Sequence, residues 1–129
     1  MDTLKLLLDK ANKYIESSDI ESLVTKPDIV KTKDILNHLY YFYSILSYYY
    51  FERKVKRREL YNELIAKERD LNPKVPEWEC KARVKAKMKD SVYTDLQSTI
   101  YLIYSLIVFL SYLLGTEPKV NNILLEEVR

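Results

Sequence analysis

Ten of the twenty-one Lys and Arg residues fall in two runs: Arg53, Lys54, Lys56, Arg57 and Arg58, and then Lys81, Arg83, Lys85, Lys87 and Lys89. Cations at that density suit phosphate, because each phosphate that is neutralised releases counterions and adds affinity. Five basic residues within six helical positions point almost all the way round, so one salt-bridged face cannot absorb them. Glu52 to Lys56 and Glu63 to Lys67 are the favourable i,i+4 pairs, and most of the cluster has no such acid. A solvated charged shaft is the plain alternative to an electrostatic track. Tyr61 and Tyr93 lie beside the clusters, where a ring can stack on an unpaired base; ordinary packing accounts for each taken alone.

Other chemistry lacks its residues. His38 is the only histidine and Cys80 the only cysteine, far apart along the chain, which leaves no metal cluster, no Cys–His pair and no disulfide. One glycine cannot build a phosphate-cradling loop. Glu59 and Glu63 share a helix face but lack the Glu-x-x-His partner of a di-metal bundle, so they read as surface acids. Cys80 follows a helix start and precedes Lys81, a setting that activates some thiols, but it reads here as an inert one. The expectation is a binding protein with no enzymatic site, no metal and no cofactor. A lone cysteine and the absence of a signal-like N-terminus point to a reducing, cytoplasmic setting.

The elements that must position these residues follow from the breakers. The chain has 129 residues, 47% hydrophobic and 31% charged, with one glycine and four prolines. That is the length of one domain and not the composition of disorder. Strands need many tight turns, and turn residues are scarce. Stretches 28–72 and 77–114 hold neither Gly nor Pro, which signals helix interiors. The fold class is therefore all-α: short N-terminal helices over 1–27, a long antiparallel hairpin of helices 32–72 and 76–114, and a helical tail over 118–129.

Periodicity supplies the faces. Leu4, Leu7, Leu8, Ala11 and Ile15 make the first helix amphipathic; Ile35, Leu39, Phe42, Leu46 and Tyr49 stripe the second; Trp78, Ala82, Met88, Val92, Leu96, Thr99, Ile103, Leu106, Leu110 and Leu113 stripe the third. Asn72 to Pro76 is the turn, with Glu77 and Glu79 at a helix start where the dipole favours acids. Gly115 stands where a left-handed cap is wanted. Folding the chain near residue 74 brings Arg58 to Lys89 and Tyr40 to Ile107.

Charge is uneven along this hairpin. Residues 52–90 hold thirteen basic residues against eight acids, whereas 35–51 and 96–116 hold no charge at all. Six of the twelve tyrosines crowd into positions 40–50 and surround their helix. One hairpin partner and a short helix cover such a surface poorly, so the uncharged ends are expected to form a homo-oligomer through Phe42, Leu46, Tyr49, Leu96, Ile103, Leu106, Leu110 and Leu113. A tyrosine-rich monomer core is the simpler alternative. The 21 uncharged residues from 96 to 116 would also span a bilayer by length, but Gln97, Ser98, Thr99, Ser105 and Ser111 interrupt them, so a membrane hairpin is disfavoured.

The order short helix, long basic helix, turn, long helix with an uncharged end resembles the UvsY-type recombination mediators of bacteriophages, over residues 32–115. Lys81-Ala82-Arg83 is similar to a basic element of that family, displaced here to the far side of the turn. The resemblance implies an oligomeric accessory protein that binds single-stranded nucleic acid and helps load recombinase onto strands coated by single-strand-binding protein. Its binding residues would be the ten clustered cations and Tyr61. Two rivals stand beside it: a small viral inhibitor of a host defence nucleoprotein complex, and a membrane-associated hairpin.

Overall fold

Caps and breakers set the element boundaries. The computed structural model describes residues 2–125, which form helices and their connections with no strand. Helix α1 (Thr3–Ser18) starts at Asp2, whose carboxylate accepts from the Leu4 amide at 3.0 Å, and stops at Asp19, which takes the left-handed conformation (φ 52°). A single turn, α2 (Ser22–Thr25), buries Leu23. Pro27 then clears the way for α3 (Ile29–Leu71), 43 residues long and about 65 Å at 1.5 Å per residue. It begins earlier than the expected 32 because the Asp28 carboxylate caps it, accepting from the Lys31 amide at 3.0 Å. Residues 72–76 turn the chain, and Arg69 clamps Glu77 across that turn.

The second long segment is not one helix. It divides into α4 (Glu77–Lys87) and α5 (Ser91–Leu113), with Met88 and Lys89 outside both. The cause is Asp90, which sits extended at φ −145° and ψ 99° and accepts from the Tyr93 amide at 3.2 Å. An aspartate in that pose starts a helix. The interruption carries neither Gly nor Pro, so it is invisible to a search for breakers.

Gly115 ends α5 in the expected way. Its φ is 70°; its amide donates to Tyr112 at 3.0 Å, and the Thr116 amide donates back to Ser111 at 2.9 Å. Those two bonds are the paired closure of a left-handed helix end. Of the expected tail helix over 118–129, the described part is a 3-10 turn at Ile123–Leu125; the remainder lies outside the described residues.

Packing divides the molecule along its length. Helices α1, α3 and α5 form a three-helix bundle around Leu4, Leu8, Leu39, Leu46, Ile103 and Leu110. Asn12 reaches from α1 to the Thr99 hydroxyl at 3.2 Å, and Tyr14 stacks on His38 at 4.8 Å. The chain end closes the bundle: the Tyr43 hydroxyl donates to the Asn121 carbonyl and accepts from the Ile123 amide. No residue between Phe51 and Val92 belongs to this core. From there α3 continues with α4 as a two-helix arm, buried only at Ile65, Glu68, Cys80 and Val84.

Candidate nucleic-acid interface

The first basic cluster lies where the arm leaves the bundle, and acids engage much of it. Arg53 donates to both Asp90 oxygens at 3.2 Å. Arg57 donates to the Met88 carbonyl at 3.0 Å, stands 3.6 Å from Asp90, and lays its guanidinium 4.5 Å from the Tyr93 ring. That ring in turn stacks on Tyr50 at 5.8 Å, almost parallel. Burial between Tyr50 and Arg57 pushes the Tyr93 hydroxyl up to about 12, desolvation being the leading cause. Lys56 pairs with Glu52 at 3.0 Å, and Lys54 lies 5.5 Å over the Tyr50 ring. Arg58 is exposed and also engaged. The unbroken basic track expected here is therefore partly a set of internal clamps.

The second cluster splits by helix face. Cys80 and Val84 are fully covered against α3. Arg83 bonds Glu68 at 3.0 Å and Glu79 at 3.2 Å, and Lys87 stands 3.6 Å from Glu68. Glu68 is only 5% exposed and also accepts from Asn72 at 3.1 Å. The Arg83 hydrogen bond leads in holding its carboxyl below the usual value of 4.5. On the opposite side of α4 lie Trp78, Lys81 and Lys85, at spacings of three and four. All three are exposed, Trp78 by 72%. Among the described residues the Lys81, Lys85 and Lys89 side chains make no hydrogen bond or ion pair, although the Lys81 charge acts on the nearby Glu77 carboxylate.

Two expectations change accordingly. The stripe of Trp78 and Ala82 was expected to pack inward; both are exposed, and Cys80 with Val84 forms the buried face instead. Register explains it, since positions 80 and 84 fall half a turn away. Tyr61 is half-buried, at the helical spacing of the α3 face that carries Ile65 and Glu68, so less of its ring is open than of the Trp78 indole. Trp78 is the exposed ring of the second cluster, on the same helix as its cations Lys81, Arg83, Lys85 and Lys87. The sequence signal was available: its neighbours at three and seven positions on are lysines.

The expected oligomer residues also separate. Leu46, Leu96, Ile103 and Leu110 are 0% exposed inside one chain, because α1 and the chain end supply the cover that the hairpin alone lacks. That corrects their assignment to a surface between chains. Phe42, Tyr49 and Leu106 are half-buried, and Leu113 is 41% exposed. Tyr41, Tyr48, Tyr101 and Tyr112 stand outward. Helix α5 is long and apolar enough to cross a membrane by length and composition, with a mean hydropathy of 1.6; its central stripe is taken up by α1 and α3.

Among the described residues no group of three or more His, Cys, Asp or Glu could hold a metal ion. Glu59 and Glu63 are both exposed, and neither belongs to such a group. No protein-family model, curated protein or solved structure matches this chain.

Proposed function

We propose that the chain is a non-enzymatic protein that holds single-stranded nucleic acid on the outer face of α4. The observation that carries this reading is Trp78, the only tryptophan, 72% exposed in line with Lys81 and Lys85. The exposed indole presents a broad apolar face that a stacked base would take out of water. A flat ring with cations one turn along suits a base and its following phosphates. Stacking contributes about 1–3 kcal/mol per base and tolerates any sequence. The outer face supplies no array of hydrogen-bonding side chains for reading base edges, which suits binding without sequence preference.

In the fuller reading the protein assists phage-type recombination: a strand held on the arm is favoured for transfer from single-strand-binding protein to recombinase. Support for that role is the helix order and charge polarity shared with the UvsY-type pattern. Self-association, also part of that pattern, would use the outward tyrosines and Leu113 rather than the core leucines.

Trp78 makes the test direct, since all indole fluorescence comes from the site. Titration with short oligothymidylate should quench it, and added salt should reverse the quench. Trp78→Ala, followed by anisotropy of a labelled strand, should weaken single-strand binding more than duplex binding. Lys81→Ala with Lys85→Ala should reduce the salt slope by about 1.4, the value for two single-strand phosphate contacts. No binding at low salt would overturn the proposal and favour a protein partner for the arm.

A further inference from the structure

At the junction of α3, α4 and α5 lies an open cavity of about 320 Å³ whose charged lining is Arg53, Lys56, Arg57, Lys87, Lys89 and Asp90. Five cations surround one carboxylate. The arrangement follows from the break before α5: a continuous helix would leave no concavity here, and Asp90 would not turn inward to cap. Asp90 accepts from Arg53 and the Tyr93 amide and stands 3.6 Å from Arg57. Each of these arginines uses only its Nη1 on described partners, so their remaining N–H groups are free to donate. Lys56 and Lys87 share acids outside the cavity, Glu52 and Glu68. Lys89 is exposed and has no bonded partner among the described residues.

We propose that this cavity is a phosphate site whose affinity Asp90 limits. A phosphate entering beside Lys89 would meet the free edges of two guanidinium groups, which suit its oxygens. The Asp90 carboxylate stands where a second anion is repelled. The site therefore holds phosphate weakly while the carboxylate is charged and more tightly once that charge is removed. For a strand, this adds an anchor at the base of the arm, separate from the stacking face of α4. The strand part rests on the nucleic-acid reading; the phosphate part does not.

Asp90→Asn is the informative variant, because asparagine caps a helix as well as aspartate does. Far-UV circular dichroism verifies that α5 is intact. Two probes are titrated: short oligothymidylate by anisotropy and inorganic pyrophosphate by calorimetry. Asp90→Asn should tighten both by about 2- to 5-fold, the size of one partly exposed charge interaction, and Lys89→Ala should loosen both. Asp70→Asn, an exposed acid elsewhere on the arm, controls for net charge and should change neither by as much. A folded Asp90→Asn protein with unchanged binding of both probes overturns the site, as does an equal gain from Asp70→Asn. If wild type ignores oligothymidylate while Asp90→Asn still tightens pyrophosphate, the nucleic-acid reading fails and the site stands for a free phosphate compound.

Discussion

Leu110 and Leu113 offer a comparison in which chemistry and helix are constant and only burial differs. Both lie in the last turn and a half of α5, with exposures of 0% and 41%. Leu→Ala deletes three carbons, worth about 2.4 kcal/mol when fully buried at about 0.8 kcal/mol per methylene. At Leu110 a residual void of about 40 Å³ would add about 1 kcal/mol. Leu113→Ala loses about three-fifths of the transfer contribution, about 1.4 kcal/mol, and solvent fills the gap. The difference is about 2 kcal/mol, which for a chain of this size is about 8 °C in melting temperature. Thermal melts by circular dichroism read that difference, and light scattering on the same samples reads particle mass. Leu110→Ala should melt far lower at unchanged mass. Equal melting losses would refute the division between core and surface. So would a Leu110→Ala protein that melts normally but dissociates, because the leucine would then be covered by a second chain.

Three further outcomes follow from the same geometry. Gly115→Ala should cost about 1–2 kcal/mol in urea denaturation, from the backbone alone, because nothing lies within 4 Å of the position its Cβ would take. Glu68 has a lowered pKa, so its contribution is present above the ordinary value of 4.5 and is lost as pH falls through the lower folded value; Glu68→Gln should flatten the acid limb of a pH–stability profile. Tyr93 has a raised pKa, so the unfolded chain loses its proton first and stability should fall between the ordinary value of 10.0 and about 12. Tyr93→Phe should remove part of that alkaline loss, measured as the urea midpoint against pH.

The all-α class, the turn at 72–76 and the left-handed glycine are legible in the sequence, because Pro and Gly mark them and nothing else competes. The division at residues 88–90 is not, because Asp90 acts through its backbone pose and an amide three residues on. The faces of α4 are ambiguous: Trp78 and Ala82 repeat with the same spacing as Cys80 and Val84, and the bulk of the indole draws the stripe to the wrong pair, although Cys and Val are the types more often buried. The charge runs locate the arm, yet their pairing is tertiary. Glu68 and Arg83 are fifteen positions apart, Arg53 and Asp90 thirty-seven, and no local rule joins them. The uncharged stretches show that something must cover them; that α1 and the chain end do so depends on how three helices close on one another.

The uneven distribution of burial along α3 has a kinetic consequence. Its first half is held by the bundle, whereas from Glu52 to Leu71 only Ile65 and Glu68 are buried, facing Cys80 and Val84. So small a set of interior contacts makes the arm's opening free energy a fraction of the global one. Amide hydrogens in the second half of α3 and in α4 should exchange with deuterium in a fast, shared step, while those around Leu46 and Ile103 wait for global unfolding. One uninterrupted helix would then contain two cooperative units, and a ligand on the arm would be recognised by slowed exchange in the arm alone.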